Sequence, residues 1–399
     1  MSPRRDFDVI VVGGGLVGAA CAALLGRTPA TAALSVALIE PRPARPLAAT
    51  DPMELRVSAL SHASVALLKA VGAWPAVEAR GPCAYRRMIV WDARGAATDA
   101  DALVFDAAEA GEPDLGYIAE NRAVGAALLT AAVEAGTVLL EAPVTGLELD
   151  PDLARIVQGE RRLGAGLVVA ADGADSPLRA LAGLDSAASD YPQVAVVAAL
   201  SPARPHGEAA RQRFLPEGPL ALLPLADGRV SIVWSTAPDE AVRLLALDDV
   251  AFGHAVTAAS DGVLGELTAT GPRARFPLRR AQASSYRATR FALVGDAAHT
   301  VHPLAGQGVN QGFLDVTRLV GEIGAALKRG DDFGDARALG RYARARRAEN
   351  AVVGEALDGL WRLFADARPA VGRVRRTGLG LVNRTTLLKR FFVDRALGR

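Results

Sequence analysis

The chain of 399 residues is long enough for roughly two or three domains. Half of its residues are hydrophobic, 22% are charged and 5% are aromatic, which excludes a disordered, collagen-like or disulfide-stapled chain. Its 45 basic residues nearly cancel 44 acidic ones, so no global positive field exists to hold nucleic acid, and Cys21 and Cys83, its only cysteines, fit no CxxC or zinc-type spacing.

Arg4 and Arg5 stand before an uncharged stretch, Val9 to Gly26, that has about the length of a membrane span. Asp6 and Asp8 in the leader, and Gly13, Gly14, Gly15 and Gly18 within the stretch, argue against a span or a signal peptide. The pattern reads as a βαβ unit: a β-rich run Asp8 to Val12, a glycine turn, a small-residue helix Leu16 to Arg27, and an apolar run Leu34 to Ile39 ending at Glu40. Pro41 to Asp51 reads as a loop, Ser58 to Val71 has helical spacing, and strand-like runs follow at Met88 to Trp91 and Leu103 to Phe105. A helix Asn121 to Glu134 and strands near Val138 to Leu140 and Leu167 to Ala171 return to the first sheet. Between 186 and 285 the strands Val194 to Leu200, Leu220 to Leu225 and Val230 to Trp234, a hairpin turn at Asp227-Gly228, a helix near Asp248 to Ala259 and an extended run Arg273 to Leu278 predict an antiparallel sheet with helical cover. Phe291 to Val294 is one more buried strand, a helix starts at about Gln307, and from Asp335 onward the pattern is helical and Arg-rich.

Three motifs carry chemistry. Gly13-x-Gly15-x-x-Gly18 follows a strand, opens a helix and has an acid, Glu40, at the end of the next strand. Gly13 allows the tight turn, Gly15 lets backbone approach a pyrophosphate, Gly18 seats the helix on the sheet, and Glu40 accepts from ribose hydroxyls, so FAD or NAD is expected rather than NADP. The second motif runs from Ala171 and Asp172-Gly173 to Arg179; the third runs from Gly295-Asp296 through His299, His302, Pro303, Gly306, Gln307, Gly308, Val309 and Asn310. A metal site at Asp296, His299 and His302 is not expected, because Pro303 and the glycines break the helix that would align them. His62, His206 and His254 stand alone and read as structural.

Together the three motifs resemble the flavoprotein aromatic hydroxylases, single-component FAD monooxygenases with a p-hydroxybenzoate-hydroxylase-like fold. The resemblance implies that Asp296, beside Gly295, bonds a ribityl or ribose hydroxyl of FAD, that Asp172 and Gly173 lie near the pyrophosphate and nicotinamide path, and that Pro303, Gly306 and Gly308 pack at the flavin ring. Backbone N–H groups from Gly306 to Asn310, at a helix start, would then stabilise the negative charge that reduction places on the flavin. Leu55 to Leu60, Gly72-Ala73-Trp74, Trp91-Asp92, Leu115 to Asn121, Phe276-Pro277-Leu278 and the run Gly295 to Asp315 are similar to the ubiquinone-biosynthesis hydroxylase family over nearly the whole chain. In that family Arg56 and Arg122 fall at positions expected to touch FAD, and Leu16, Val17 and Val144 join the same set. Tyr85 to Met88 with Phe105 to Glu109 look closest to the branch acting on a 2-polyprenyl-3-methyl-6-methoxy-1,4-benzoquinol, while Gln311 departs from a position where a small or apolar residue is more usual.

The fold expected is mixed α/β. A Rossmann-like FAD-binding domain (1–80, 117–185 and 286–330) is interleaved with an antiparallel-sheet substrate domain (81–116 and 186–285) and followed by a C-terminal helical segment (331–399). No second GxGxxG occurs, so NADPH or NADH is expected to visit as a transient reductant. The activity implied is O2-dependent hydroxylation of a polyprenylated phenol or benzoquinol in ubiquinone biosynthesis, with no side chain assigned as a catalytic base. Other readings are hydroxylation of another ring position or of a small soluble aromatic, a flavin-binding scaffold of a quinone-synthesis complex without turnover, and a flavin-dependent reductase of polyprenyl chains. The two cysteines suit a reducing, cytoplasmic setting. Between Val371 and Arg399 eight basic residues meet one acid, Asp394, which suggests either a helix capping the fold or peripheral contact with anionic lipid of the inner membrane or with partner proteins.

Overall fold

The computed structural model describes residues 5–48, 51–100, 102–300 and 307–365, with Thr385 and Gly398. Its first sheet grows from the βαβ unit. Strand Phe7–Val12 lies between Val36–Ile39 and Arg161–Ala170, with Val138–Leu140 beyond the former and Phe291–Leu293 beyond the latter, all five parallel. Val9, Ile10 and Val11 are fully buried, as are Leu38 and Ile39, because helices cover both faces of a parallel sheet. A hairpin, Gly146–Leu149 with Ala154–Gln158, extends Arg161–Ala170 on its own edge.

The helices, in chain order, are α1 (Leu16–Arg27), α2 (His62–Ala70), α3 (Trp74–Ala79), α4 (Ala107–Ala110), α5 (Asn121–Glu134), α6 (Pro177–Leu181), α7 (Pro238–Ala246), α8 (Asp249–Ala259), α9 (Gln307–Arg329) and α10 (Ala336–Ala365). Helices α1 and α5 have the bounds that the sequence predicts. Their small residues let them pack closely: a Cβ built on Gly26 of α1 would stand 2.7 Å from the Ala135 carbonyl at the end of α5. The helix expected from Ser58 starts later. Val57–Leu60 is a strand paired with Tyr117–Glu120, and Ser61 then caps α2 by accepting from the Ser64 N–H.

A second sheet of eight strands has the spatial order His299–Thr300, Leu267–Ala283, Ser186–Pro202, Val230–Thr236, Gly218–Pro224, Ala209–Leu215, Arg87–Asp92, Leu103–Asp106. It is antiparallel, with the expected hairpin, except that Ala209–Leu215 runs parallel to Arg87–Asp92, a strand reached from a distant part of the chain. Helices α7 and α8 cover it over a separate core that includes Trp234 and Phe252. The two layers meet at the third motif: Phe291–Leu293 belongs to the first sheet, while His299 and Thr300 pair with Gln282 and Ala281 of the second.

Candidate functional site

All the glycine-bearing motifs sit at the carboxyl ends of adjacent parallel strands, where open α/β sheets bind their ligands. Gly13 follows Phe7–Val12, Glu40 follows Val36–Ile39, Asp172 lies just beyond Arg161–Ala170, and Gly295 lies just beyond Phe291–Leu293. The turn at Gly13 has φ +100°, and a Cβ there would stand 2.3 Å from the Ala171 carbonyl oxygen, so the first and second motifs are in contact. Val17 links the first to the third, its side chain 3.0 to 3.2 Å from a Cβ built on Gly295. Leu16, a near neighbour of Gly125, packs with Val17 at the margin of the core.

Glu40 is more committed than the sequence suggests. Its carboxylate accepts from the Gly14 N–H at 2.7 Å and from the Arg42 N–H at 2.9 Å, which pins the glycine turn to the second strand. A carboxylate has about four acceptor positions, so capacity remains for hydroxyls. Asp172 is engaged locally: it accepts from the Ser176 hydroxyl at 2.5 Å and the Leu178 N–H at 3.1 Å, organising the start of α6, and burial pushes its carboxyl upward. Gly173, at φ +89°, has open space where its Cβ would be. Asn310 is likewise occupied, accepting from the Ser61 N–H and Ser64 hydroxyl and donating to the Ala59 carbonyl, which ties the start of α9 to α2.

The turn carrying Asp296 is held at nearly every residue except Asp296 itself. The Tyr342 hydroxyl donates to the Leu293 carbonyl (2.5 Å), the Gly295 N–H donates to Asp315 (3.0 Å), Arg179 donates to the Ala297 carbonyl (2.8 Å), and His299 Nε2 lies 2.5 Å from Asp315. Burial alone would raise the Asp315 carboxyl, but His299 and Arg346 hold it below the ordinary carboxylate value. It is therefore ionised and accepts, and His299 Nε2 carries the proton between them. Asp296 has no hydrogen bond to a described residue, and it is exposed in a turn whose neighbours are buried. Desolvation there pushes it up, with His299 and Arg56 pulling the other way and Asp315 adding to the rise.

Arg56 and Arg122 come together because Val57 pairs with Glu120 and the Asn121 N–H donates to the Arg56 carbonyl. Arg56 lies over the Phe276 ring at 5.4 Å, joining the start of strand Val57–Leu60 to the second sheet, and Arg122 stands 3.9 Å from Asp51. Val144 packs on the margin of the first core. Gly308 has open space at its Cβ position, Val309 packs on the core, and Gln307 opens α9. Pro303, Gly306 and His302 lie outside the described residues. Gln311, the departure in the third motif, has a partner, its Oε1 accepting from Arg346 at 2.9 Å. Among the described residues no three His, Cys, Asp or Glu side chains converge as a metal site. His62 bonds Asp114, His206 the Leu225 carbonyl, and His254 faces Glu266 on the surface.

The residues fit a dinucleotide. Gly13 and Gly18 lack room for a Cβ, but Gly15 meets nothing within 4 Å, so packing of the chain leaves the backbone open where a phosphate would approach. Asp296 sets a pH test. An ionised carboxylate is the stronger acceptor for a hydroxyl, so if Asp296 accepts from a hydroxyl of the dinucleotide, affinity for it is expected to be full above the pKa of free Asp296 and to fall as pH drops through it. That fall begins above the ordinary aspartate value of about 4. Over the same range the apoprotein gains stability, because its raised carboxyl takes up the proton. Titration of flavin fluorescence between neutral and acid pH checks this, with Asp296→Asn expected to bind more weakly at neutral pH and without that slope.

The FAD binding domain family matches residues 6–354. Escherichia coli (strain K12) 3-demethoxyubiquinol 3-hydroxylase is 36% identical over 398 residues, 99% of each chain. Rhodospirillum rubrum ubiquinone hydroxylase UbiL is 34% identical over 400 residues, 100% of this chain and 91% of the relative, and human mitochondrial ubiquinone biosynthesis monooxygenase COQ6 is 34% identical over 96% of this chain and 91% of its own. Among solved structures, p-nitrophenol 4-monooxygenase PnpA from Pseudomonas putida DLL-E4 has the same fold, with TM-score 0.76 at 19% identity over 98% of both chains. OxyS anhydrotetracycline hydroxylase from Streptomyces rimosus superposes with TM-score 0.71 at 22% identity, covering 98% of this chain and 76% of its own. With its glycine turns gathered at one end of the parallel sheet and relatives this similar over at least nine-tenths of their length, the chain belongs to the FAD binding domain family and, within it, to the ubiquinone-biosynthesis hydroxylases.

Proposed function

We propose that this FAD-dependent monooxygenase hydroxylates the ring of a polyprenylated benzoquinol in ubiquinone biosynthesis, with 2-polyprenyl-3-methyl-6-methoxy-1,4-benzoquinol as its substrate, O2 as co-substrate and NADPH or NADH as transient reductant. The observation that carries the reading is the gathering of three motifs at the strand ends, with the space beside Gly15 open. The name of the Escherichia coli relative supports the choice of ring, since it gives 3-demethoxyubiquinol as what that protein acts on.

When bound, FAD would supply the redox chemistry, accepting reducing equivalents from the nicotinamide and making O2 reactive toward an electron-rich ring. The chain supplies binding and orientation. Backbone at Gly15, with Leu16 and Val17 at the N-terminal end of α1, would meet the pyrophosphate on the turn that Gly13 and Gly18 shape. Glu40 would offer its remaining acceptor positions to the ribose, and Asp296 would accept from a ribityl or ribose hydroxyl. Arg56, Arg122, Val144, Asp172, Gly173 and Gly295 complete the cradle. Backbone N–H groups at the start of α9, with the positive end of the helix dipole, would favour negative charge at the flavin, where the resemblance also puts Pro303, Gly306 and Gly308.

Purified enzyme given NAD(P)H, O2 and a short-chain demethoxyquinol analogue is expected to yield a product heavier by one oxygen. NAD(P)H oxidation that forms only hydrogen peroxide with every analogue overturns the reading. Reduction of substrate without O2 would mark a reductase, and bound FAD that NAD(P)H never reduces would mark a scaffold. We also infer that the basic stretch from Val371 to Arg399, of which Thr385 and Gly398 are the described residues, brings the enzyme to anionic lipid where such a substrate resides. No described helix is long and apolar enough to cross a membrane. Co-sedimentation with anionic but not neutral liposomes, lost on truncation at Val371, is the expected result.

A further inference from the structure

Helix α10 carries Tyr342, Arg346 and Asn350 at four-residue intervals, on one face, and each is at most 3% exposed. Arg346 donates through Nε to Asp315 (2.7 Å) and through Nη2 to Gln311 (2.9 Å) and Asn350 (2.8 Å). Asn350 donates to the same Asp315 oxygen at 3.2 Å. Asp315 holds Gly295 and His299 with its other oxygen, and Tyr342 holds Leu293, so one helix reaches three points of the turn that carries Asp296. Farther along α10, Asp358 accepts from Tyr191 at 3.3 Å and pairs with Arg280 at 3.4 Å, both on strands of the second sheet. The helix is thus strapped to both layers.

An ion pair this deep stabilises a fold no better than well-packed apolar residues of the same volume. What it does provide is direction: the planar guanidinium, with donors in a rigid fork, allows Asp315 one orientation. We propose that Arg346 is a positioning residue for the cofactor, fixing Asp315 and through it the Gly295 backbone, so that the Asp296 carboxyl stands where a hydroxyl of FAD meets it. The proposal rests on the reading that Asp296 holds FAD. It makes α10, which carries none of the glycine motifs, a determinant of flavin affinity.

The test compares FAD binding by full-length wild type, Arg346→Lys and Tyr342→Phe, each measured well below the melting temperature of its apoprotein. Arg346→Lys keeps the charge opposite Asp315 but cannot hold Gln311 and Asn350 as well, and its FAD Kd is expected to rise about tenfold, the equivalent of one or two hydrogen bonds. Tyr342→Phe removes a single hydroxyl, which a folded core tolerates, and is expected to raise Kd about threefold by the same reasoning. In both, the visible absorption band of the bound flavin should shift or lose its fine structure, a change that a role confined to stability would not produce. If wild type binds FAD and both variants bind it with unaltered Kd and spectrum, the proposal is overturned while the cofactor reading stands. A wild type that takes up no FAD overturns both.

Discussion

A Gly18→Ala variant is expected to melt far below the wild type or to lose cooperative melting, whereas Gly15→Ala is expected to melt within a few degrees of it and to bind FAD more weakly. A Cβ at Gly18 would stand 1.8 Å from the Gly13 carbonyl oxygen and 3.0 Å from the Ala171 Cβ. The nearest obstacle is backbone, fixed by the hydrogen bond from the Gly13 N–H to the Ile39 carbonyl, so it cannot swing aside as a side chain would. Helix α1 must lift from the sheet, at a cost of about 3 kcal/mol or more, the upper end of overpacking. Gly15 is the N-cap of α1, with an ordinary extended backbone and no atom within 4 Å of its Cβ position. Its replacement costs the apoprotein up to about 1 kcal/mol as a poorer cap. The methyl group nevertheless occupies the space a pyrophosphate needs, and losing one charge-assisted contact there weakens FAD roughly tenfold to a hundredfold. Melting curves of the apoproteins and equilibrium FAD titrations separate the two effects; equal FAD affinity in Gly15→Ala and wild type would remove this turn from the cofactor site.

What the sequence made legible were features whose physics is local. The strand, glycine turn and helix of the βαβ unit, and the whole of Asn121–Glu134, follow from spacing and small-residue composition; both helices have the expected bounds and the strand begins one residue earlier, at Phe7. Val57–Leu60 was not legible as a strand, because its partner Tyr117–Glu120 lies far along the chain and its few residues fit helical spacing equally well. The same holds at the site. Asp172 and Asn310 stand in the motifs, but that their side chains hold the protein's own turns depends on Ser176, Leu178, Ser61 and Ala59 being brought up against them. Arg179 bridges the second and third motifs through the Ala174 and Ala297 carbonyls, which no spacing encodes. For Tyr342, Arg346 and Asn350 a signal did exist: three polar residues at four-residue intervals on a helix that must bury a face. Reading it required Asp315 on α9 as the charge they converge upon.

That convergence sets the second large effect. Asp315→Asn is expected to destabilise the apoprotein by about 3 to 5 kcal/mol, because it leaves the buried guanidinium of Arg346 without its carboxylate. Glu349, half-exposed beside Arg346, softens the loss, which places the expected value toward the lower end. Arg346→Met should cost a similar amount by stranding Asp315. The double variant should lose less than the sum of the two singles, since neither charge then remains to be left unpaired. Denaturant unfolding of the four proteins measures the coupling, and strictly additive losses would show that the pair is not the unit described. Acid adds a check with a definite sign. The folded Asp315 carboxyl lies below its ordinary value, so its contribution is fully present above about pH 4 and is lost only as pH falls through that lower value. Wild type should therefore lose stability relative to Asp315→Asn only in strong acid. Flavin affinity should not follow the recovered stability of the double variant, because the Gly295 N–H has by then lost the carboxylate that fixes the turn, and a preparation that regains both together would mean that Asp315 holds the fold and not the orientation of Asp296.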